Sequence, residues 1–112
     1  MPMTDTSRDL FPGALEMMIL ESLRRQPAHG YALVQHIQQR SKNLLQVEEG
    51  SLYPALQRLL LQRWVKAEWK LTETNRRARY YSLTALGRKQ LGLELSEFGQ
   101  MIAAIGRVLQ DA

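Results

Sequence analysis

Apolar residues recur at helical spacing three times along this chain before the period changes. After Pro12-Gly13, Leu15, Met18, Ile19 and Leu23 share one face with Ser22, which predicts a first helix. Gln26-Pro27 ends it, because a residue before proline is pushed out of the helical region. Arg24 and Arg25 then sit in the last turn, where they favour the helix dipole. A second helix begins around His29-Gly30. Tyr31, Val34 and Ile37 form its stripe with Leu33 at its side, while His36, Gln38, Gln39 and Arg40 look outward. Residues 41–50 connect it to a third helix, and Leu44, Leu45 and Val47 are expected to hold that connection against the core. In the third segment Gly50 makes the turn, Ser51 is a natural N-cap and Pro54 falls in the first turn. Leu52, Leu56 and Leu59 face inward, which leaves Ser51, Tyr53, Gln57 and Arg58 on or near the outer face.

From Val65 the period is two. Val65, Ala67 and Trp69 alternate with Lys66 and Glu68, and Arg79-Tyr80-Tyr81-Ser82-Leu83 is a second strand candidate. The polar stretch from Lys70 to Ala78 joins them, so the pair reads as a hairpin. Thr84 then caps a last helix, with Gly87 where a capping-box glutamate would stand. In that helix Leu91, Leu95, Phe98, Ile102, Ile105 and Leu109 are spaced 4, 3, 4, 3, 4, a heptad seam. Gly92, Gly99 and Gly106 recur beside it every seven residues. Each glycine costs about 1 kcal/mol of helix propensity, so their repetition on one line points to the close approach of another backbone. The first three helices need their apolar faces for one another, and a helix from a second subunit is the expected cover.

The chain's 112 residues suffice for one domain with a modest core. It has no cysteine, which excludes disulfides, thiolate catalysis and cysteine metal sites. No apolar run has transmembrane length and no signal-peptide pattern opens the chain, so a cytoplasmic location and no membrane partner are expected. The formal net charge of +4 and pI near 9.8 suit an anionic partner. Their placement is more informative: residues 58–79 hold seven Lys/Arg and two Glu, a net +5 over 22 residues. Solvating charge would be scattered; a basic stripe on one helix and one hairpin is the footprint of nucleic-acid binding. The third helix fits that reading, since its N-terminus attracts phosphate and its polar face can read base edges. His29 and His36 lie seven apart without a carboxylate or second histidine at i+4, so no metal site is expected. No Gly-rich phosphate loop and no nucleophile–base pair is present, which argues against an enzyme and against a cofactor. Met17, Met18 and Met101 read as core fill.

Five stretches together resemble the PadR family of transcriptional regulators, in its short branch with a single C-terminal helix. They are Gly13-Ala14-Leu15-Glu16-Met17-Met18-Ile19-Leu20, His29-Gly30-Tyr31-Ala32-Leu33, Gly50-Ser51-Leu52-Tyr53-Pro54-Ala55-Leu56, Asn75-Arg76-Arg77-Ala78-Arg79-Tyr80-Tyr81 and Leu83-Thr84-Ala85-Leu86-Gly87-Arg88. The resemblance implies a mainly α fold with a small β-hairpin, a winged helix-turn-helix plus a long C-terminal dimerisation helix. Residues 1–9 would be a flexible N-terminus, 10–83 the DNA-binding domain and 84–112 the dimerisation helix. It implies a homodimer on double-stranded DNA with inverted half-sites, usually a repressor, released by a small aromatic effector near the dimer interface. Genes of this branch often neighbour permeases. The DNA-binding residues would be Ser51, Tyr53, Pro54, Gln57 and Arg58 on the third helix and Lys70, Arg76, Arg77 and Arg79 on the wing. Ser51 and Tyr53 are assigned to phosphate, and Gln57 and Arg58 to bases. The dimer interface would use Leu15, Ile19, Leu91, Leu95, Phe98, Gly99, Ile102, Ile105 and Leu109.

Two departures from the family pattern carry expectations of their own. Leu60-Leu61-Gln62-Arg63-Trp64 lacks the usual glycine after the third helix, so either Arg63 adopts a left-handed conformation or the helix ends differently. Leu60 and Leu61 cannot both face the core. Drug-binding members also place a tryptophan in the last helix, whereas Trp64 and Trp69 here lie near the wing base and Phe98 is the last helix's aromatic residue. The alternative function is a winged-helix protein-interaction or dimerisation module without specific DNA binding. Such a module would not need Tyr53, Arg58, Arg76, Arg77 and Arg79 together.

Overall fold

A computed structural model describes residues 13–110; the polar 1–9 segment and Pro12 lie outside them. The elements run α1 (Ala14–Arg25), β1 (Ala28–His29), α2 (Gly30–Arg40), α3 (Glu49–Leu61), β2 (Val65–Leu71), β3 (Arg77–Leu83) and α4 (Ala85–Leu109). The three strands form an antiparallel sheet in the order β1-β3-β2. Ile19, Leu20 and Leu23 of α1, Leu33 and Ile37 of α2, and Leu52, Ala55, Leu56 and Leu59 of α3 fill one core with Val65, Tyr81 and Leu91. This is the winged helix-turn-helix with a long C-terminal helix expected from the pattern.

The helices differ from expectation where local rules competed. Helix α3 starts at Glu49, with Glu48 as its N-cap and no side-chain cap bond. The amides of Ser51 and Leu52 both donate to the Glu48 carbonyl, so Gly50 and Ser51 are already helical. Pro54 is therefore the sixth helical residue, one turn further in than predicted. Its missing N–H leaves the exposed Gly50 carbonyl, four residues back, without a helical donor. In α2 the buried stripe is Gly30, Leu33 and Ile37, and Tyr31 points to solvent. His29 caps this helix, its Nδ1 accepting from the Ala32 amide at 3.2 Å. In the connection Val47 is buried and Leu45 packs on the core, but Leu44 is exposed.

The hairpin is longer than its predicted strands. Its turn is Thr72 to Arg76: the Asn75 amide donates to the Thr72 carbonyl at 2.9 Å and the Thr72 amide to the Arg76 carbonyl at 2.7 Å. Asn75 supplies the left-handed residue that such a three-residue loop requires, at φ 67°. Lys70, Arg77 and Ala78 are thus strand residues rather than loop residues. The two-residue β1 was not anticipated; it pairs Ala28 with Tyr81 and His29 with Tyr80 on the other side of β3.

The ends of the hairpin meet in one hydrogen-bonded junction. Arg63 does adopt a left-handed conformation, φ 64°. The amides of Arg63 and Trp64 donate to the carbonyls of Leu60 and Leu59, a Schellman ending without glycine. Leu60 packs on the core and Leu61 is exposed. Across the hairpin, the Thr84 hydroxyl donates to the Arg63 carbonyl at 2.8 Å and accepts from the Gly87 amide at 2.9 Å, while the Thr84 amide donates to the Trp64 carbonyl. Gly87 replaces the capping-box glutamate for a steric reason: a Cβ there would stand 1.9 Å from the Trp64 carbonyl oxygen.

Two substitutions at this junction should move stability in opposite directions. Gly87→Ala should destabilise by about 1–3 kcal/mol, because the obstructing atom is backbone. Arg63→Gly should stabilise by up to about 1 kcal/mol by removing the left-handed penalty. Urea unfolding of both variants checks the pair.

Candidate nucleic-acid interface

Helix α3 presents Tyr53, Pro54, Gln57 and Arg58 to solvent, with Ser51 half-buried. Packing fixes this face, since Leu52, Ala55, Leu56 and Leu59 are fully buried on the other. Tyr53 leans toward the start of α2: a Cβ on Gly30 would come within 2.7 Å of its hydroxyl oxygen. Burial pushes the Tyr53 phenol above its ordinary pKa, and Glu49 and Tyr81 add to the shift. The group is therefore a neutral hydroxyl near pH 7, able to donate to a phosphate oxygen. Arg58 is placed differently from its predicted role. Its Nε and Nη2 reach Glu16 Oε2 of α1 at 2.6 and 2.5 Å, so it ties the two helices together.

The register of the hairpin sorts the wing into two faces. Residues opposite one another in an antiparallel pair share a face, and the face alternates along each strand. Val65, Ala67, Trp69 and Leu71 thus lie with Leu83, Tyr81, Arg79 and Arg77 on the side whose base packs on the helices. Lys66, Glu68 and Lys70 lie with Ser82, Tyr80 and Ala78 on the outer side. Arg77 and Arg79 are consequently inner, and Lys70 is outer, 3.2 Å from Glu68 Oε2 and over the Tyr80 ring. Arg76 stands in the turn. Among the described residues none of Arg76, Arg77 and Arg79 has a carboxylate partner. Their guanidinium groups are free to meet an external anion, with Arg77 resting over Trp69 and Arg79 over Tyr81.

Trp69 is the residue that sequence reasoning put in the wrong place. The alternation predicted it as core, but it is 59% exposed, because the strand runs on past the last helix it could pack against. Counting back from the Asn75 turn would have set the register and placed it opposite Arg79. Glu16 was also missed as the partner of Arg58, which no local pattern signals.

The predicted interface residues on α1 and α4 divide as well. Ile19 and Leu91 are buried in the chain's own core and have no surface left for a partner; Leu15 and Phe98 are half-buried. Leu95, Gly99, Ile102, Ile105 and Leu109 are exposed, as is Met101, which therefore does not fill the core. A Cβ on Gly92, Gly99 or Gly106 would meet nothing within 4 Å in this chain. Among the described residues no helix is long and apolar enough to cross a membrane.

The sequence profile of the transcriptional regulator PadR-like family matches residues 19–93, which include α2, α3 and the whole wing. The chain belongs to the PadR-like family. A transcriptional regulator of Clostridium thermocellum is similar in structure, with a TM-score of 0.83 at 25% identity, covering 91% of this chain and 99% of that one. A PadR family transcriptional regulator of Eggerthella lenta matches at TM-score 0.80 and 28% identity, over 96% of this chain and 91% of its own. An uncharacterised protein of Lysinibacillus sphaericus is 28% identical over 93 residues, 83% of this chain and 85% of its own. This PadR-like chain is thus a regulator whose family acts on transcription through DNA.

The Glu16–Arg58 tie is open to a direct check. Arg58 is 58% exposed, so a double-mutant cycle on Glu16→Ala and Arg58→Ala should return a coupling of roughly 0.2–1 kcal/mol in unfolding free energy. A coupling of zero would mean that Arg58 swings free of α1.

Proposed function

We propose that this PadR-like protein is a homodimeric, sequence-specific repressor in the cytoplasm, released from DNA by a small aromatic effector. The observation that carries the reading is the pairing of an exposed polar face on α3 with a wing face whose arginines have no carboxylate partner among the described residues. The solvent face of α3 carries Tyr53, Pro54, Gln57 and Arg58, and the wing's inner face, whose base shares a core with α3, has Arg77 and Arg79 as its charges. In this reading α3 enters the major groove, with Gln57 reaching bases and Ser51, Tyr53 and Pro54 near the backbone. The wing arginines hold phosphates, because such contacts fix register without reading sequence. Lys70 plays a lesser part, being paired with Glu68 on the outer face.

The dimer rests on α4. Leu95, Ile102, Ile105 and Leu109 repeat at heptad spacing on an exposed helix, and the open space at Gly99 and Gly106 admits a second backbone. A second copy crossing there would cover them and place two α3 helices on one side of a duplex. A cavity of about 310 Å³ between α1, α2 and α4, lined by Met17, Met18, Ile37 and Leu95 together with Glu21, Arg25, His36 and Arg40, has the size for a small aromatic molecule.

Footprinting on DNA upstream of the protein's own gene tests the function. Protection should fall on inverted half-sites about 34 Å apart, one helical turn. Gln57→Ala should cost roughly 1–3 kcal/mol and relax preference at one base pair. Arg76→Ala should weaken binding evenly across sequences and lower the slope of log K against log salt by about 1.

Sedimentation tests the assembly. At micromolar concentration the unmodified chain should run as a dimer. Ile102→Asp should run as a monomer, because it buries an unpaired charge in the seam, and it should lose binding to paired half-sites.

A further inference from the structure

We infer that Trp69, with Leu71 beside it, is a DNA-contacting residue of the wing, packing on the sugar–phosphate backbone next to the groove that α3 occupies. The inference rests on the DNA-binding reading above and adds an apolar contact to an interface otherwise made of arginines and polar groups.

Both side chains are large, apolar and well exposed, Trp69 at 59% and Leu71 at 62%. They project from consecutive inner-face positions of β2, beyond Val65 and Ala67, whose side chains pack on the core. The base of this face is closed against the helices, where Val65 and Tyr81 are buried, and its far end is open to solvent. In the proposed DNA complex, the wing's open end would lie against the duplex beside α3.

Charge complementarity selects the occupant. The inner face opposes Arg77 to Leu71 and Arg79 to Trp69, with no acidic residue among its eight positions, whereas the outer face sets Glu68 between Lys66 and Lys70. The Arg77 guanidinium rests 5.1 Å from the Trp69 ring centroid and, among the described residues, has no carboxylate partner. An apolar surface edged by cations with free donors suits the deoxyribose carbons and phosphates of a backbone. A protein partner burying the same patch would need acidic groups aimed at two arginines. The indole gives no base-edge selectivity in this position, so its contribution is to affinity.

Trp64 and Trp69 are the only tryptophans, so Trp64→Phe leaves Trp69 as a single reporter. The experiment uses the full chain and a duplex selected by footprinting. Saturating duplex should quench Trp69 emission and shield it from acrylamide, in the Trp64→Phe variant and, superimposed on a constant Trp64 signal, in the unmodified chain. Trp69→Ala should weaken binding about tenfold, as loss of a buried apolar side chain does. It should do so equally for specific and random duplexes and leave the salt slope unchanged. Trp69→Phe should recover most of that loss. Arg77→Ala, in contrast, should lower the salt slope by about 1.

Unchanged affinity in Trp69→Ala, or unchanged acrylamide access on binding, would overturn the inference while leaving the DNA-binding reading intact. A salt slope in Trp69→Ala that falls as far as in Arg77→Ala would also overturn it, since the ring would then serve only to hold the guanidinium. So would a change in self-association without DNA, which would make the patch a contact between protein copies. Failure of the unmodified chain to bind any duplex would overturn both readings together.

Discussion

The hydrogen-bonded junction at the root of the wing is the constraint on which the rest depends. One threonine hydroxyl joins the end of α3 to the start of α4, donating to Arg63 and accepting from Gly87. The hairpin leaves from one side of this junction and returns to the other, so its base is tied to the end of α3. Two residues bear the geometric cost: Arg63 is held left-handed, and Gly87 gives up its side chain so that the Trp64 carbonyl can approach. A polar knot at this point makes the angle between wing and α3 a property of the backbone, independent of the charged side chains that each presents.

Electrostatics on the wing follows from that rigidity and from the two-residue period of its strands. Because the register is fixed from both ends, by the Thr84 junction and by Asn75 in the turn, the arginines at 77 and 79 must fall on one face and Lys70 on the other. A shift of one residue would exchange these faces and move the arginines to the outer side. The left-handed Asn75 therefore has a role far from its own position.

Most of the fold was legible in the sequence because apolar spacing reports burial. Leu52, Leu56 and Leu59, the cap at Thr84 and the stop at Gln26-Pro27 all stand where the pattern put them. The misplacements share a cause. Trp69, Tyr31 and Leu44 are apolar side chains without a neighbour to bury them, and spacing does not reveal where an element outruns the core. Ser51 and Pro54 are good starting signals, but nothing stops a helix from beginning a few residues earlier when the Glu48 carbonyl is placed to accept. Within the candidate interface, residue types pointed to phosphate and bases, while the division into inner and outer wing faces needed the register. The Arg58–Glu16 pair spans 42 residues, a separation that no periodicity records.

That ion pair has a consequence for how an operator could be told from other DNA. While its guanidinium is paired with Glu16 of α1, Arg58 is drawn toward that helix, and in the proposed DNA-binding mode α3 is left with Gln57 as the long polar side chain on its outer face beyond the first turn. In that binding mode a helix with so small a reading alphabet would distinguish few base pairs by hydrogen bonds alone. Discrimination would then pass to the mechanics of the duplex: how readily a given sequence narrows a groove or bends to meet a rigid wing and a rigid helix together. Operators of such a regulator would share stiffness and groove width more closely than they share letters.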